Sequence, residues 1–85
     1  MNINLRFFAS VREALGVSQE AATLPAGVST VGAVRDFLHG RGGAWADAMA
    51  HDRSLRMAYN QVLCGPATEL TEGCEVAFFP PVTGG

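Results

Sequence analysis

The sequence predicts an α+β domain in which a mixed four- or five-stranded sheet packs on one main helix. Three observations predict it. Apolar and polar residues alternate near both ends, in Ile3-Asn4-Leu5-Arg6-Phe7 and in Glu75-Val76-Ala77-Phe78-Phe79, which marks half-buried strands. Between them lies one strong helical pattern, with Val31, Val34 and Leu38 at i, i+3 and i+7 and Ala33 and Phe37 beside them. A chain of 85 residues, 48% hydrophobic and 16% charged, can build one modest core and no second. Apolar-faced strands and a single amphipathic helix bury their faces by packing as layers.

Each element follows in order. Ile3, Leu5 and Phe7 share one face of the first strand, and Phe8 places a second aromatic on the opposite face. Ser10-Val11-Arg12-Glu13 has the spacing of a capping box, predicting a short helix to Leu15 that Gly16 stops. Gln19 to Leu24 is a weaker second strand, and Pro25-Ala26-Gly27 turns the chain. Ser29 or Thr30 can cap the main helix, which Gly40 and Gly42-Gly43 end. Trp45 to Ala50 reads as one or two helical turns with Trp45 on the core. Leu55, Met57 and Tyr59 then alternate along a strand, Asn60-Gln61 bends the chain, and Val62-Leu63 continues extended. Gly65-Pro66 and Glu72-Gly73 are the last turns before the final strand. The first and last strands are expected to be central and parallel. Residues 1–79 form the expected domain, and 80–85 an extended, flexible tail.

Composition narrows the function classes. A net charge of −2 with a pI near 5.5 argues against a nucleic-acid binder, which carries a basic stripe. No segment reaches transmembrane length, and Met1 to Arg6 lacks the charged-then-apolar order of a signal peptide, so a cytoplasmic location is expected. Cys64 and Cys74 form neither a CxxC motif nor part of a metal quartet and read as reduced, structural cysteines. His39 and His51 stand in separate segments and read as surface residues; no metal ligands are expected. Asp36, Asp47 and Asp52 have solvated spacings, Ser10 and Ser29 read as caps, and no phosphate loop is present. All six basic residues are Arg, so the chain offers no side-chain amine for isopeptide linkage.

The chemistry then points to Gly84-Gly85. Two residues without side chains put a carboxylate on a thin thread. Pro80-Pro81 hold the lead-in near an extended polyproline conformation, with Val82-Thr83 between. From Pro80 to Gly85 the chain can reach roughly 20 Å, far enough to thread a narrow channel. Gly-Gly alone is equally the composition of an end that frays.

The ending Glu75-Val76-Ala77-Phe78-Phe79-Pro80-Pro81-Val82-Thr83-Gly84-Gly85 resembles the small subunits of molybdopterin synthase, which are ubiquitin-like β-grasp sulfur carriers. Leu5-Arg6-Phe7-Phe8-Ala9 with Val11-Arg12-Glu13, the Asn60-Gln61 pair, Leu70-Thr71-Glu72-Gly73 and Trp45 share the resemblance. It implies that the Gly85 carboxylate is adenylated by an E1-like enzyme using ATP and Mg²⁺, and is then converted to a thiocarboxylate. The sulfur would pass to cyclic pyranopterin monophosphate in the large synthase subunit, which supplies the catalytic side chains. By the same resemblance Pro80, Pro81, Val82, Thr83 and Gly84 enter the partner's active site. Phe8, Arg12, Leu63 and Phe79 face the partner, and no cofactor binds this chain stably. Other readings are a thiamine-type sulfur carrier, a ubiquitin-like protein modifier, or a plain binding module.

Overall fold

Alternation at both ends does produce strands that meet side by side. In the computed structural model, which describes residues 1–81, β1 is Asn2–Phe7 and β5 is Glu75–Phe79. Between them lie α1 (Ala9–Leu15), β2 (Gln19–Thr23), α2 (Val31–His39), α3 (Gly43–Ala48), β3 (Arg56–Tyr59) and β4 (Val62–Cys64). The five strands form one sheet in the order β2-β1-β5-β3-β4. β1 and β5 run parallel, with Leu5 opposite Val76 and Phe7 opposite Phe78, and every other pairing is antiparallel. The expected central, parallel pair is therefore present, and the sheet has five strands.

Because strand side chains alternate, the sheet has two distinct faces. Ile3, Leu5, Phe7, Val76 and Phe78 point into the core with Val31, Val34 and Leu38 of α2 and with Met49, all essentially sealed from solvent. Phe7 stacks near Phe78 at 6.4 Å between ring centroids and meets the Trp45 ring edge-on at 5.5 Å. All three helices serve this inner face: the main helix α2, the expected short α1, and α3, which spans Gly43–Ala48 where the sequence predicts one or two turns from Trp45 to Ala50.

The α1 start differs from the capping box. The helix begins at Ala9, and Phe8 is its extended N-cap with no side-chain cap bond. The Phe8 N–H still bonds the Phe78 carbonyl, so strand pairing runs to the last residue before the helix. Phe8 then accepts from Val11 and Arg12 through its own carbonyl, which leaves Ser10 inside the first turn. Gly16 ends the helix as expected, with φ 76° and its N–H on the Arg12 carbonyl.

For α2, Thr30 is the cap, its Oγ1 accepting from Ala33 N at 3.1 Å. Two further N-terminal donors are met from a distant loop: Val31 N on Thr68 O at 3.0 Å and Gly32 N on Pro66 O at 2.9 Å. Gly32 permits this approach, since a Cβ there would lie 2.9 Å from Pro66 Cβ. Asn60 and Gln61 both take positive φ, 48° and 69°, the geometry of a tight two-residue hairpin turn between β3 and β4.

Candidate functional site

The outer face of the sheet carries no helix, and its centre is apolar. Across it one row runs Gln19, Arg6, Ala77, Ala58, Leu63, each opposite the next in the strand register. Ala77 and Ala58 are buried although nothing from the helical layer reaches them. They floor a groove lined by Phe8, Ala9, Phe79, Pro80 and Pro81, with Gln61 and Glu75 also on its edge. Phe8 and Phe79 meet edge to face with centroids 6.4 Å apart.

Exposure separates these groups. Phe8 is 40% exposed and Leu63 64%, among the few large apolar side chains left in water, whereas Phe79, Pro80 and Pro81 are half-buried. Small alanines in the central strands let the ring edges of Phe8 and Phe79 lie against the sheet. The result is a shallow apolar depression where the chain leaves β5 for the tail. A contiguous exposed apolar patch of this kind marks an interaction surface more often than ordinary surface.

Phe8, Phe79, Pro80 and Pro81 are thus brought together, and Leu63 extends the same face at the β4 edge. Arg12 is exposed on α1 and lines no part of the groove. Val82, Thr83, Gly84 and Gly85 lie outside the described residues. Ala58, Ala77 and Gln61 belong to the surface and escaped the sequence reading; the alternation in Glu75 to Phe79 places Ala77 beside Phe79 and is the signal that could have found it. Arg6 escaped too. Its guanidinium carbon lies 5.3 Å from the centre of the Phe8 ring, and its Nη1 is 3.7 Å from Glu75 Oε1.

Elsewhere the charged groups serve the fold. Arg41 makes a paired hydrogen bond with the Glu20 carboxylate and sits 4.4 Å above the Trp45 ring, clamping α2's end to β2. The hydrogen bond from Arg41, helped by its charge and opposed by partial burial, holds the Glu20 carboxyl below its ordinary range. Arg35 donates to the carbonyls of Met49, Ala50 and Arg53 and so ties α2 to the segment after α3. His51 Nε2 lies 2.9 Å from Asp36 Oδ1 at the surface. Among the described residues no three His, Cys, Asp or Glu side chains converge as a metal site. Cys64 and Cys74 are free thiols, and no helix among the described residues is long and apolar enough to cross a membrane.

Comparison with known proteins places the chain in a family. The ThiS family model matches residues 5–85. The chain belongs to the ThiS family. Two ThiS-type relatives are molybdopterin synthase sulfur carrier subunits. The one from Escherichia coli is 45% identical over 83 residues, covering 98% of this chain and 99% of its own. The one from Haemophilus influenzae is 42% identical over 83 residues with the same coverage. Among solved structures, SAMP1 from Haloferax volcanii superposes with a TM-score of 0.76 at 26% identity, covering all of both chains. The fold of this ThiS-family chain is thus the ubiquitin-like β-grasp.

Proposed function

We propose that this chain is the sulfur-carrying subunit of a molybdopterin synthase, with Gly85 as its reactive end. The observation that carries the reading is the identity of 45%, running through nearly the whole chain, to a subunit of that name. The apolar groove adds a physical reason: a subunit that delivers its own C-terminus needs a docking face beside the root of its tail. Phe8, Phe79 and Leu63 form that face, and Arg12, exposed on α1, would meet the partner outside the groove.

The chemistry required of Gly85 is simple to state. A carboxylate resists nucleophiles, so its oxygen first attacks the α-phosphorus of ATP, with Mg²⁺, in an E1-like enzyme, and pyrophosphate leaves. A sulfur nucleophile then attacks the acyl carbon and AMP leaves, which yields a thiocarboxylate. That sulfur bonds to cyclic pyranopterin monophosphate within the large synthase subunit, and water then cleaves the acyl–sulfur bond, leaving the sulfur on the pterin and returning Gly85 to a carboxylate. Glycine at 84 and 85 keeps the acyl carbon open to attack in a closed pocket. Pro80, Pro81, Val82 and Thr83 supply the span between groove and pocket, and the large subunit supplies the catalytic side chains.

Intact mass spectrometry tests the reading. After incubation with ATP, Mg²⁺, the cognate E1-like enzyme and a sulfur donor, the chain gains the mass of one oxygen-to-sulfur exchange at Gly85. Unmodified protein, beside a control carrier that converts, would refute it. Structural likeness to SAMP1 keeps a protein-modifier reading in the test. Isopeptide adducts on other proteins would favour that reading, and co-purification of a thiazole synthase would favour a thiamine-type carrier.

A further inference from the structure

We infer that Arg6 recognises a carboxylate on the subunit that covers the outer face, and so helps determine which partner docks; this rests on the docking proposed above. Arg6 occupies the middle row of that face, opposite Ala77, and its guanidinium lies over Phe8. It stands beside two residues that line the apolar groove, Ala77 in the strand register and Phe8 under its guanidinium.

Among the described residues its donors are poorly used. The Nε atom is buried and has no hydrogen-bond partner among the described residues. Its one ion pair among the described residues, to Glu75, is 3.7 Å long, beyond hydrogen-bond range. Glu75 therefore steadies the guanidinium without consuming its fork. Phe8 supports the planar group from below, an arrangement that suits Arg and not Lys.

Charge on the face points the same way. Strand positions facing outward carry two guanidiniums, Arg6 and Arg56, against the single carboxylate of Glu75. The chain as a whole is −2, so this face is positive against the overall balance. When an apolar partner closes over Phe8, Ala77 and Phe79, Arg6 loses water that now solvates it. A guanidinium left half-paired under an interface is strongly unfavourable. A facing Asp or Glu removes that cost through paired, charge-assisted hydrogen bonds and rejects partners that lack it. Aromatic and Arg side chains together are also the usual composition of energetically dominant interface positions.

The test measures affinity of the whole chain for its cognate large subunit at low and moderate salt. Arg6→Leu keeps apolar area while removing the donors, and should weaken binding by about 10-fold with a flatter salt dependence. Arg6→Gln serves as a second variant that retains a polar head, and melting curves establish that both fold. Arg6→Glu should bind more weakly still and recover when one surface Asp or Glu of the large subunit is changed to Arg. Binding of Arg6→Leu as tight as, or tighter than, the parent overturns the inference and leaves Arg6 as a solubilising charge in an apolar patch. Failure of every such reversal to rescue Arg6→Glu also overturns it. If the unaltered chain does not bind the large subunit at all, the functional reading itself fails and this inference falls with it.

Discussion

Leu63 offers the sharpest separation between folding and docking. Truncating it to Ala removes Cγ and both methyls, worth about 2.4 kcal/mol if fully buried at about 0.8 kcal/mol per carbon. In the free chain the residue is 64% exposed, so folding has realised only the smaller part of that burial. Docking on the outer face has the larger part to gain, roughly 1.5 kcal/mol, which is about a 10-fold change in affinity. The folding share is about 0.9 kcal/mol, a fall in Tm of roughly 4–7 °C for a chain of this size. Calorimetric titration of Leu63→Ala against the large subunit, with a thermal melt of the same sample, reads both numbers. A change in Kd below about 2-fold, or a collapse in Tm with unchanged affinity, would show that the outer face is not the docking surface.

Three other outcomes are expected. Deleting Gly85, or extending the chain past it, should abolish thiocarboxylate formation by mass spectrometry while leaving Tm within about 1 °C, because glycine has no side chain to bury; retained conversion would remove Gly85 from the mechanism. Gly32→Ala should lower Tm despite the gain in helix propensity of about 1 kcal/mol. Its Cβ would stand 2.9 Å from Pro66 Cβ and 3.1 Å from Pro66 O, where carbon contacts favour about 3.5–4.0 Å, so the loop must retreat and loosen two helix-start hydrogen bonds. A higher Tm would mean that this loop yields freely. Glu20→Gln should lose the bond that keeps the Glu20 carboxyl below its ordinary range. A depressed carboxyl stabilises fully above its unfolded pKa and loses that contribution as pH falls through the folded value. The two proteins should therefore differ by under about 1 kcal/mol at pH 7, and the difference should shrink as pH falls through the depressed folded value, as melts across the acid range would report.

What could be read from the chain was local. The period of two in Ile3 to Phe7 and in Glu75 to Phe79 gave both central strands, because each strand needs only its own alternation to declare a buried face. Phe8 and Phe79 stood out for the same reason, as aromatics on the polar side of that alternation. The Ser10 capping box failed because a pairing across the sheet, Phe8 N to Phe78 O, holds the chain extended up to the helix. Likewise the choice between Ser29 and Thr30 rested on a loop more than thirty residues later, which sets where α2 can start. Arg6 counted only as the polar half of an alternating pair. Its weak ion pair and its place over Phe8 exist only once β1 and β5 lie side by side.

The register of β5 explains how one small domain can hold its fold and present a face at once. Val76 and Phe78 go wholly into the core, while Ala77 and Phe79, each one residue on, turn to the outer face. The strand is hydrogen-bonded on both sides, by β1 and by β3, so Phe79 has no freedom to drift from Phe8 or from Ala58. Pro80 follows directly from this fixed strand. On the proposed function, seating the groove on a partner would therefore also fix where the chain leaves β5 at Pro80. Positioning at the reacting atom is sensitive to displacements of about 1 Å. A central strand is the part of a sheet best able to deny that displacement, so the proposed reactive terminus would gain from following β5 instead of the β2 or β4 edge.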